Sequence, residues 1–454
     1  MTLIPNGETL SFISIHKTDD VRQLALKSRP DGVDMAYALE QIAGWQAARR
    51  KLPSWADTDG LVFPPHLSME QCSSEPTAVY KQRLAERLAD GNAERHVDLT
   101  GGFGVDFSFM SRGFRHKTYV ERQETLCRVV AHNMPLLGVK DAEIVCGDTE
   151  EYLLNMPHAT TIFIDPARRD DHGGRTFAIA DCTPDVVALK GELLAHADYV
   201  VVKLSPMLDW HKAVADLGNV SEVHIISVKN ECKELLLVLS AGGGRQGGAP
   251  LHVCCVDCQQ LADGSWHYVS EEYTDGGDTC ALLPCSSPSA VPPSALLQPG
   301  CWIYEPNASI MKAGCFAMLS ARYGMPQVAQ NSHLFLSESL VEAFPGRRFQ
   351  VCAVTELNKK ALRQALSGIT KANVAVRNFP LSVADLRKKL KIKDGGDTYI
   401  FATTLADSRH VLIITKKAPA QLGKRLHLTN TNYVGLCNLK HSPFSMLPSL
   451  SRLI

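Results

Sequence analysis

The chain has 454 residues, 45% of them apolar and 21% charged, with 47 Lys+Arg against 48 Asp+Glu. That balance describes an ordinary soluble protein of two to four domains. No apolar run reaches the roughly 18–20 residues that span a bilayer, and Met1 to Glu8 lacks a basic segment leading into an apolar core, so the sequence predicts a cytoplasmic protein whose 14 cysteines are reduced thiols.

Residues 1–68 read as a small helical region, in which Val33 to Ile42 places apolar residues at helical spacing and Pro53, Pro64 and Pro65 punctuate the end. Ser73-Ser74-Glu75-Pro76 opens a further helix over about 76–90, with Ser74 as its cap and Pro76 in its first turn. Strand-like runs then end near Leu99, Val120, Val145, Ile164 and Val202, separated by amphipathic stretches such as 125–137 and 183–195. This alternation predicts a doubly wound parallel sheet. Val223 to Ile226 and Leu235 to Leu239, joined by a short link, predict an antiparallel hairpin at the sheet edge, and the glycine-rich 242–248 ends a domain spanning 69–242.

Residues 249–345 read as a small α+β domain of ferredoxin-like type: a strand at 251–256, a Ser/Pro-rich connector over 284–299, a strand at 302–306 and a helix over 308–323. Residues 347–420 read as strand, helix (359–366), strand (373–376), helix (383–390) and two strands (398–404, 411–415), a compact α+β module followed by a tail, 421–454. Charge is unevenly shared: residues 347–454 hold 19 Lys+Arg and 5 Asp+Glu, a net of +14, against 28 and 43, a net of −15, in residues 1–346. The run Arg387 to Lys393 taken alone is a solvated helix face, but the imbalance over the whole module favours a polyanion, with Lys388, Lys389 and Lys391 as candidate contacts. Cys254-Cys255-x-x-Cys258 is the one tight cysteine cluster; without a second pair at zinc spacing it reads as small buried hydrophobes, and no metal is expected.

The chemistry-bearing signal is a series of acidic residues at strand ends. Asp98 opens Asp98-Leu99-Thr100-Gly101-Gly102-Phe103-Gly104-Val105-Asp106; Glu121, Asp148 and Asp165 follow at intervals of 23, 27 and 17 residues. In an open parallel sheet, ligands bind at the carboxyl ends of the strands. The glycines allow close backbone approach and positive φ, Glu121 is placed to accept from both ribose hydroxyls of an adenosine, and Asp148 to accept from its adenine amino group. Gly-Gly-Phe-Gly is not the pyrophosphate fingerprint, and no Lys-Ser/Thr pair follows it.

On these residues the sequence resembles a class I S-adenosylmethionine-dependent methyltransferase: Asp98 to Gly104 match the first cofactor motif, Glu121 the second, Asp148 the third and Asp165-Pro166 the fourth. Glu70-Gln71-Cys72-Ser73-Ser74-Glu75, Asp165-Pro166-Ala167-Arg168-Arg169 and Tyr304-Glu305-Pro306-Asn307 carry a narrower resemblance to a bacterial group with a THUMP-like domain after the methyltransferase. The resemblance implies an α/β fold, a Rossmann-like seven-stranded methyltransferase domain with the N-terminal helical region and small α+β C-terminal domains. It implies S-adenosylmethionine as cofactor, held by Asp98, Thr100, Gly101, Gly102, Phe103, Gly104, Asp106, Glu121, Arg122, Asp148 and Thr149, with Gln71 and Thr77 as contacts or plain capping residues. It also implies RNA, tRNA or rRNA, as partner and no membrane.

Catalysis is assigned to Asp165, Pro166 and Arg168. In enzymes acting on exocyclic amines this motif reads Asp/Asn-Pro-Pro-aromatic, with the aromatic stacking on a flipped base; here Ala167 and Arg168 replace the last two positions. Arg168 and Arg169 either clamp a phosphate or stack on a base, or pair with Asp170 and Asp171. Carbon methylation needs a cysteine after the fifth strand, where the chain has Lys203-Leu204-Ser205-Pro206. Lys203 is either a phosphate contact, a desolvated base or an ordinary strand-end lysine. The leading reading is an RNA methyltransferase; the alternative is a non-catalytic RNA-binding protein on a degenerate methyltransferase fold.

Overall fold

The computed structural model describes residues 3–168, 179–242, 250–275, 293–329 and 331–418. The chain opens with helices α1 (Gly7–His16), α2 (Val21–Ala25), α3 (Met35–Lys51), α4 (Pro53–Ala56) and α5 (His66–Gln71), followed by α6 (Glu75–Ala89). Ser74 is the N-cap of α6, as expected, but its side chain accepts no capping bond from the helix backbone. Then come β1 (Arg95–Asp98), α7 (Val105–Met110), β2 (His116–Glu121), α8 (Glu124–Leu136), β3 (Ala142–Cys146), α9 (Thr149–Asn155), β4 (Ala159–Ile164), a two-residue ribbon of β5 (Ala167–Arg168) with β6 (Cys182–Thr183), α10 (Val186–Ala195), β7 (Ala197–Leu204), α11 (Trp210–Leu217), β8 (Val220–Val228), β9 (Glu231–Ser240), β10 (Leu251–Gln260) and β11 (Trp266–Asp275).

The large sheet has the order β11-β10-β8-β9-β7-β4-β1-β2-β3. β3, β2, β1, β4 and β7 run parallel, and β9 is antiparallel to both β7 and β8. Because β2 lies on one side of β1 and β4 on the other, the order reverses between β1 and β4, and the crevice that this opens at their carboxyl ends is where Asp98 and Asp165 stand. Alternate residues of each strand feed different cores: Val120 packs with Val97, Ile162 and Val200 on the α10/α11 face, and Tyr119 with Phe103 and Phe107 on the face covered by α8 and the N-terminal helices.

Two expectations need correction. The sheet has nine strands rather than seven, and the β8/β9 hairpin is not at its edge. β10 and β11, from the segment assigned to a separate domain at 249–345, extend it: β10 pairs parallel with β8, and β11 antiparallel with β10. The reason lies in β10, where every residue from Val253 to Cys258 is buried; a strand apolar on both faces has to lie inside a sheet. The cysteines Cys254, Cys255 and Cys258 all sit within this strand, buried among aliphatic neighbours.

After α12 (Pro293–Leu296) come β12 (Trp302–Pro306), α13 (Ala308–Ala313), α14 (Phe316–Tyr323), β13 (Phe335–Ser337), β14 (Gly346–Glu356), α15 (Lys359–Ala365), β15 (Asn373–Arg377), α16 (Val383–Leu390), β16 (Thr398–Thr404) and β17 (His410–Lys417). The expected single helix over 308–323 is two, parted where Gly314 takes φ +75°. Residues 302–417 build one six-stranded sheet, β13-β12-β14-β17-β16-β15, in which β12 pairs antiparallel with β14 across the boundary expected near 346. Glu305 of β12, 1% exposed, seals the join by accepting from Arg347 and Arg377. This sheet is docked on the large one: Ile310, Ala313, Leu319 and Phe344 share a core with Val223, Leu237 and Val253. The tail lies outside the described residues.

Candidate functional site

The crevice between β1 and β4 widens into a cleft of about 730 Å³. Its floor is the loop after β1. Thr100 N–H donates to Asp98 Oδ1 at 3.0 Å, and the Thr100 hydroxyl accepts from the Asp165 N–H at 2.6 Å, tying the ends of β1 and β4 together. Gly101 lies against the Tyr119 ring, which a Cβ there would meet at 2.0 Å. Gly102 takes φ +52° and Gly104 φ +80°, conformations that glycine adopts without strain.

Glu121, at the end of β2, accepts from Gly102 N–H at 3.1 Å with Oε2 and from Gln123 N–H at 2.9 Å with Oε1. Each oxygen keeps a second lone pair for a ligand hydroxyl. Asp148 caps α9 and lines the cleft: its Oδ1 accepts from Glu150 and Glu151 N–H at 2.8 and 3.3 Å. Thr149 donates its hydroxyl to Leu99 O at 2.6 Å. Burial drives the Asp98 carboxyl well above the usual range, against the Thr100 N–H bond, and its Oδ2, buried, has no partner.

The far end of the cleft holds a charge cluster that the sequence did not announce. Lys203, on the last turn of pleat in β7, donates to Asp165 Oδ2 at 2.6 Å and lies 3.3 Å from Asp106 Oδ2. Behind it, Lys81 of α6 is fully buried, donating to Ser73 Oγ at 2.7 Å and to Glu234 Oε2 at 2.5 Å and lying 2.8 Å from Asp106 Oδ1. Ser73 in turn donates to Asp106 at 2.7 Å. Burial alone would raise Asp106, but Lys81 and Lys203 hold its carboxyl below the ordinary range. Burial works to lower Lys203, yet Asp165 and Asp106 keep its ammonium charged well past its usual pKa. Asp165 is the exposed member of the set, its side chain 37% accessible against 11% for Lys203 and 0% for Lys81.

The structure thus brings Asp98, Thr100 to Gly104, Asp106, Glu121, Arg122, Asp148, Thr149, Asp165, Pro166 and Lys203 around one cleft, with Gln71 at its rim. For three of the expected residues the structure specifies the surroundings. Asp106 is engaged by two lysines and Ser73. Lys203 is a buried ion-pair partner, neither an ordinary strand-end lysine nor an exposed phosphate contact. Thr77 is buried and bonds the Ser74 carbonyl. The Arg168 backbone pairs with Cys182 in the β5/β6 ribbon; Arg169 lies outside the described residues. Lys388, Lys389 and Lys391 are exposed on α16 and its C-cap, in the second sheet and away from the cleft lining. The sequence reading missed Lys81, Ser73 and Glu234. Lys81 was detectable, because it falls on the same helical stripe as Ala78, Ala85 and Leu88, where a lysine needs a buried counter-charge.

The cleft fits S-adenosylmethionine on its own chemistry. The unpaired Asp98 Oδ2 calls for a donor such as an amino group, Glu121 offers acceptors for hydroxyls, and the loop carries no cation pair for a pyrophosphate. Among the described residues no helix is long and apolar enough to cross a membrane.

Comparison with known proteins agrees. A THUMP domain-like family model matches residues 346–417, and a ferredoxin-like domain model matches residues 302–345. The crystal structure of a Porphyromonas gingivalis W83 protein assigned to the methyltransferases is similar with a TM-score of 0.76 and 31% identity, covering 92% of this chain and 100% of that one. Two Mycobacterium tuberculosis proteins, Rv3037c and MT3122, each named an uncharacterised S-adenosylmethionine-dependent methyltransferase, are each 24% identical over 329 residues, 72% of this chain and 80% of theirs. With the cleft, the sheet and a full-length relative in agreement, the chain belongs to the S-adenosylmethionine-dependent methyltransferases that carry a THUMP-like domain.

Proposed function

We propose that the protein methylates RNA, tRNA or rRNA, with the THUMP-like domain gripping the strand and Asp165 beside the transferred methyl. The observation that carries the reading is the surface of that domain. Helices α15 and α16 pack on one face of the second sheet, and Lys359, Lys360, Arg363, Lys388, Lys389 and Lys391 on or beside them are all exposed. Asp394 and Asp407, which could neutralise this region, are already paired with Arg387 and Arg409. A surface of cations unpaired among the described residues suits a phosphate backbone, which binds through many weak charge contacts.

On this reading Asp98, Gly101, Gly102, Glu121 and Asp148 hold the cofactor, and Asp165 and Pro166 meet the nucleotide. Arg168 and Arg169 belong to the same proposal as contacts to the substrate. The test is transfer of labelled methyl from S-adenosylmethionine to total RNA from a strain lacking the gene. Label in RNA supports the reading. Tight cofactor binding with no label in RNA refutes it and favours the non-catalytic alternative.

A further inference from the structure

We propose that the acceptor is a ribose 2′-hydroxyl and that Lys203 and Asp165 are the pair that activates it. The inference rests on the RNA reading and deepens it to the atom methylated.

Two features of the cleft argue against a base nitrogen. The aromatic residues that line it, Phe103 and Phe163, are 4% and 1% exposed, so among the described residues neither offers a ring face to a flipped base. Second, the accepting atom has an ammonium beside it. A neutral amine gains positive charge as it takes a methyl, and a fixed cation next to it opposes that. A hydroxyl oxygen gains negative charge as its proton leaves, and the same cation stabilises it.

The arrangement divides the work. Lys203 Nζ donates to Asp165 Oδ2 at 2.6 Å and to Asp106 Oδ2 at 3.3 Å, while Asp165 Oδ1 accepts nothing among the described residues and the Asp165 side chain, 37% accessible, lines the cleft. A hydroxyl entering there donates its proton to Asp165 Oδ1, and the Lys203 ammonium stabilises the oxygen left behind. S-adenosylmethionine, when bound, supplies the methyl as an electrophile, so that the C–S bond breaks with its electron pair on sulfur as the O–C bond forms. The proton on Asp165 then passes to water. Burial raises the Asp165 carboxyl against the Lys203 charge, which makes it a stronger base than a surface aspartate. Lys81 and Glu234 do not reach the cleft. They are positioning residues: Lys81 holds Asp106 at 2.8 Å, and Asp106 holds Lys203 at 3.3 Å.

The experiment uses the full chain, labelled S-adenosylmethionine and total RNA from a strain lacking the gene, followed by complete alkaline hydrolysis. A methylated 2′-oxygen cannot attack the adjacent phosphodiester, so label from ribose methylation survives in dinucleotides, whereas label on a base is released in mononucleotides. Label in alkali-resistant dinucleotides is expected. Label in mononucleotides overturns the inference while leaving the RNA reading intact; no label in RNA overturns both. Lys203→Met should lower kcat by roughly 10²–10³ with little change in the Km for RNA, as for loss of one group that stabilises developing charge. A readout without cofactor comes from carbon-13 carboxyl titration of the free protein: the resonance lost in Asp165→Asn should titrate higher in Lys203→Met. A resonance indifferent to Lys203 would overturn the pairing.

Discussion

Replacing Lys81 with methionine gives the sharpest test of the buried cluster. The Lys81 ammonium is fully buried, and its side chain lies between Glu234 Oε2 at 2.5 Å, Ser73 Oγ at 2.7 Å and Asp106 Oδ1 at 2.8 Å. Asp106 keeps Lys203 and Ser73 when Lys81 goes. Glu234 does not: its side chain is 7% exposed and accepts from no other described residue. Removing one partner of a buried ion pair costs about 3–5 kcal/mol, because the other charge stays in a poor dielectric. Lys81→Met should therefore lower the free energy of unfolding by about that amount, read as a lower urea midpoint at unchanged m-value.

The double variant Lys81→Met/Glu234→Gln removes both charges and should recover most of the loss, since a buried pair replaced by groups of similar volume is close to neutral. Its methyl transfer should not recover, because Asp106 and through it Lys203 would still lack the Lys81 support. The cycle would refute the reasoning in two ways. A cost under about 1 kcal/mol for the single variant, or strictly additive effects, would mean that the pair is not coupled. Full recovery of transfer in the double variant would mean that the cluster serves stability alone.

Glu121→Ala should weaken S-adenosylmethionine about 10- to 150-fold by calorimetry, the range for about 1.5–3 kcal/mol of charged hydrogen bonds; unchanged binding in a folded variant would remove Glu121 from the site. Neutralising Lys388, Lys389 and Lys391 together should flatten the salt dependence of RNA binding by up to about three in log–log slope, and an unaltered slope would place the phosphate contacts elsewhere. His96 is fully buried on β1 beside β4, one nitrogen 2.8 Å from the Thr161 hydroxyl and the other unpartnered among the described residues, and burial lowers its pKa from 6.5 to about 3. The unfolded chain therefore binds the extra proton first as pH falls, so this stability is whole above pH 6.5 and drains between 6.5 and about 3. At pH 5 the loss is about 2 kcal/mol, and His96→Gln should abolish that part of the difference between urea midpoints at pH 7.5 and pH 5.

What the sequence shows depends on whether a residue's role is local. Asp98, Glu121, Asp148 and Asp165 each close a short apolar run, and the chain-end geometry of a parallel sheet gathers such positions at one edge; four strand ends in order were therefore enough to find the cleft. β10 was visible as a strand but not as a member of the large sheet, because its partner β8 is distant in the chain and separated by β9. Its burial on both faces was the available clue, and an antiparallel edge strand would have alternated. The charge cluster is the opposite case. Ser73, Lys81, Asp106, Lys203 and Glu234 come from the loop before α6, from α6, α7, β7 and β9, and no spacing links them. Each is an ordinary polar residue until the fold denies it water. What distinguishes them is that burying any one alone would be costly, so their joint burial beside the accessible Asp165 carboxylate reflects a requirement of the site that packing by itself does not impose.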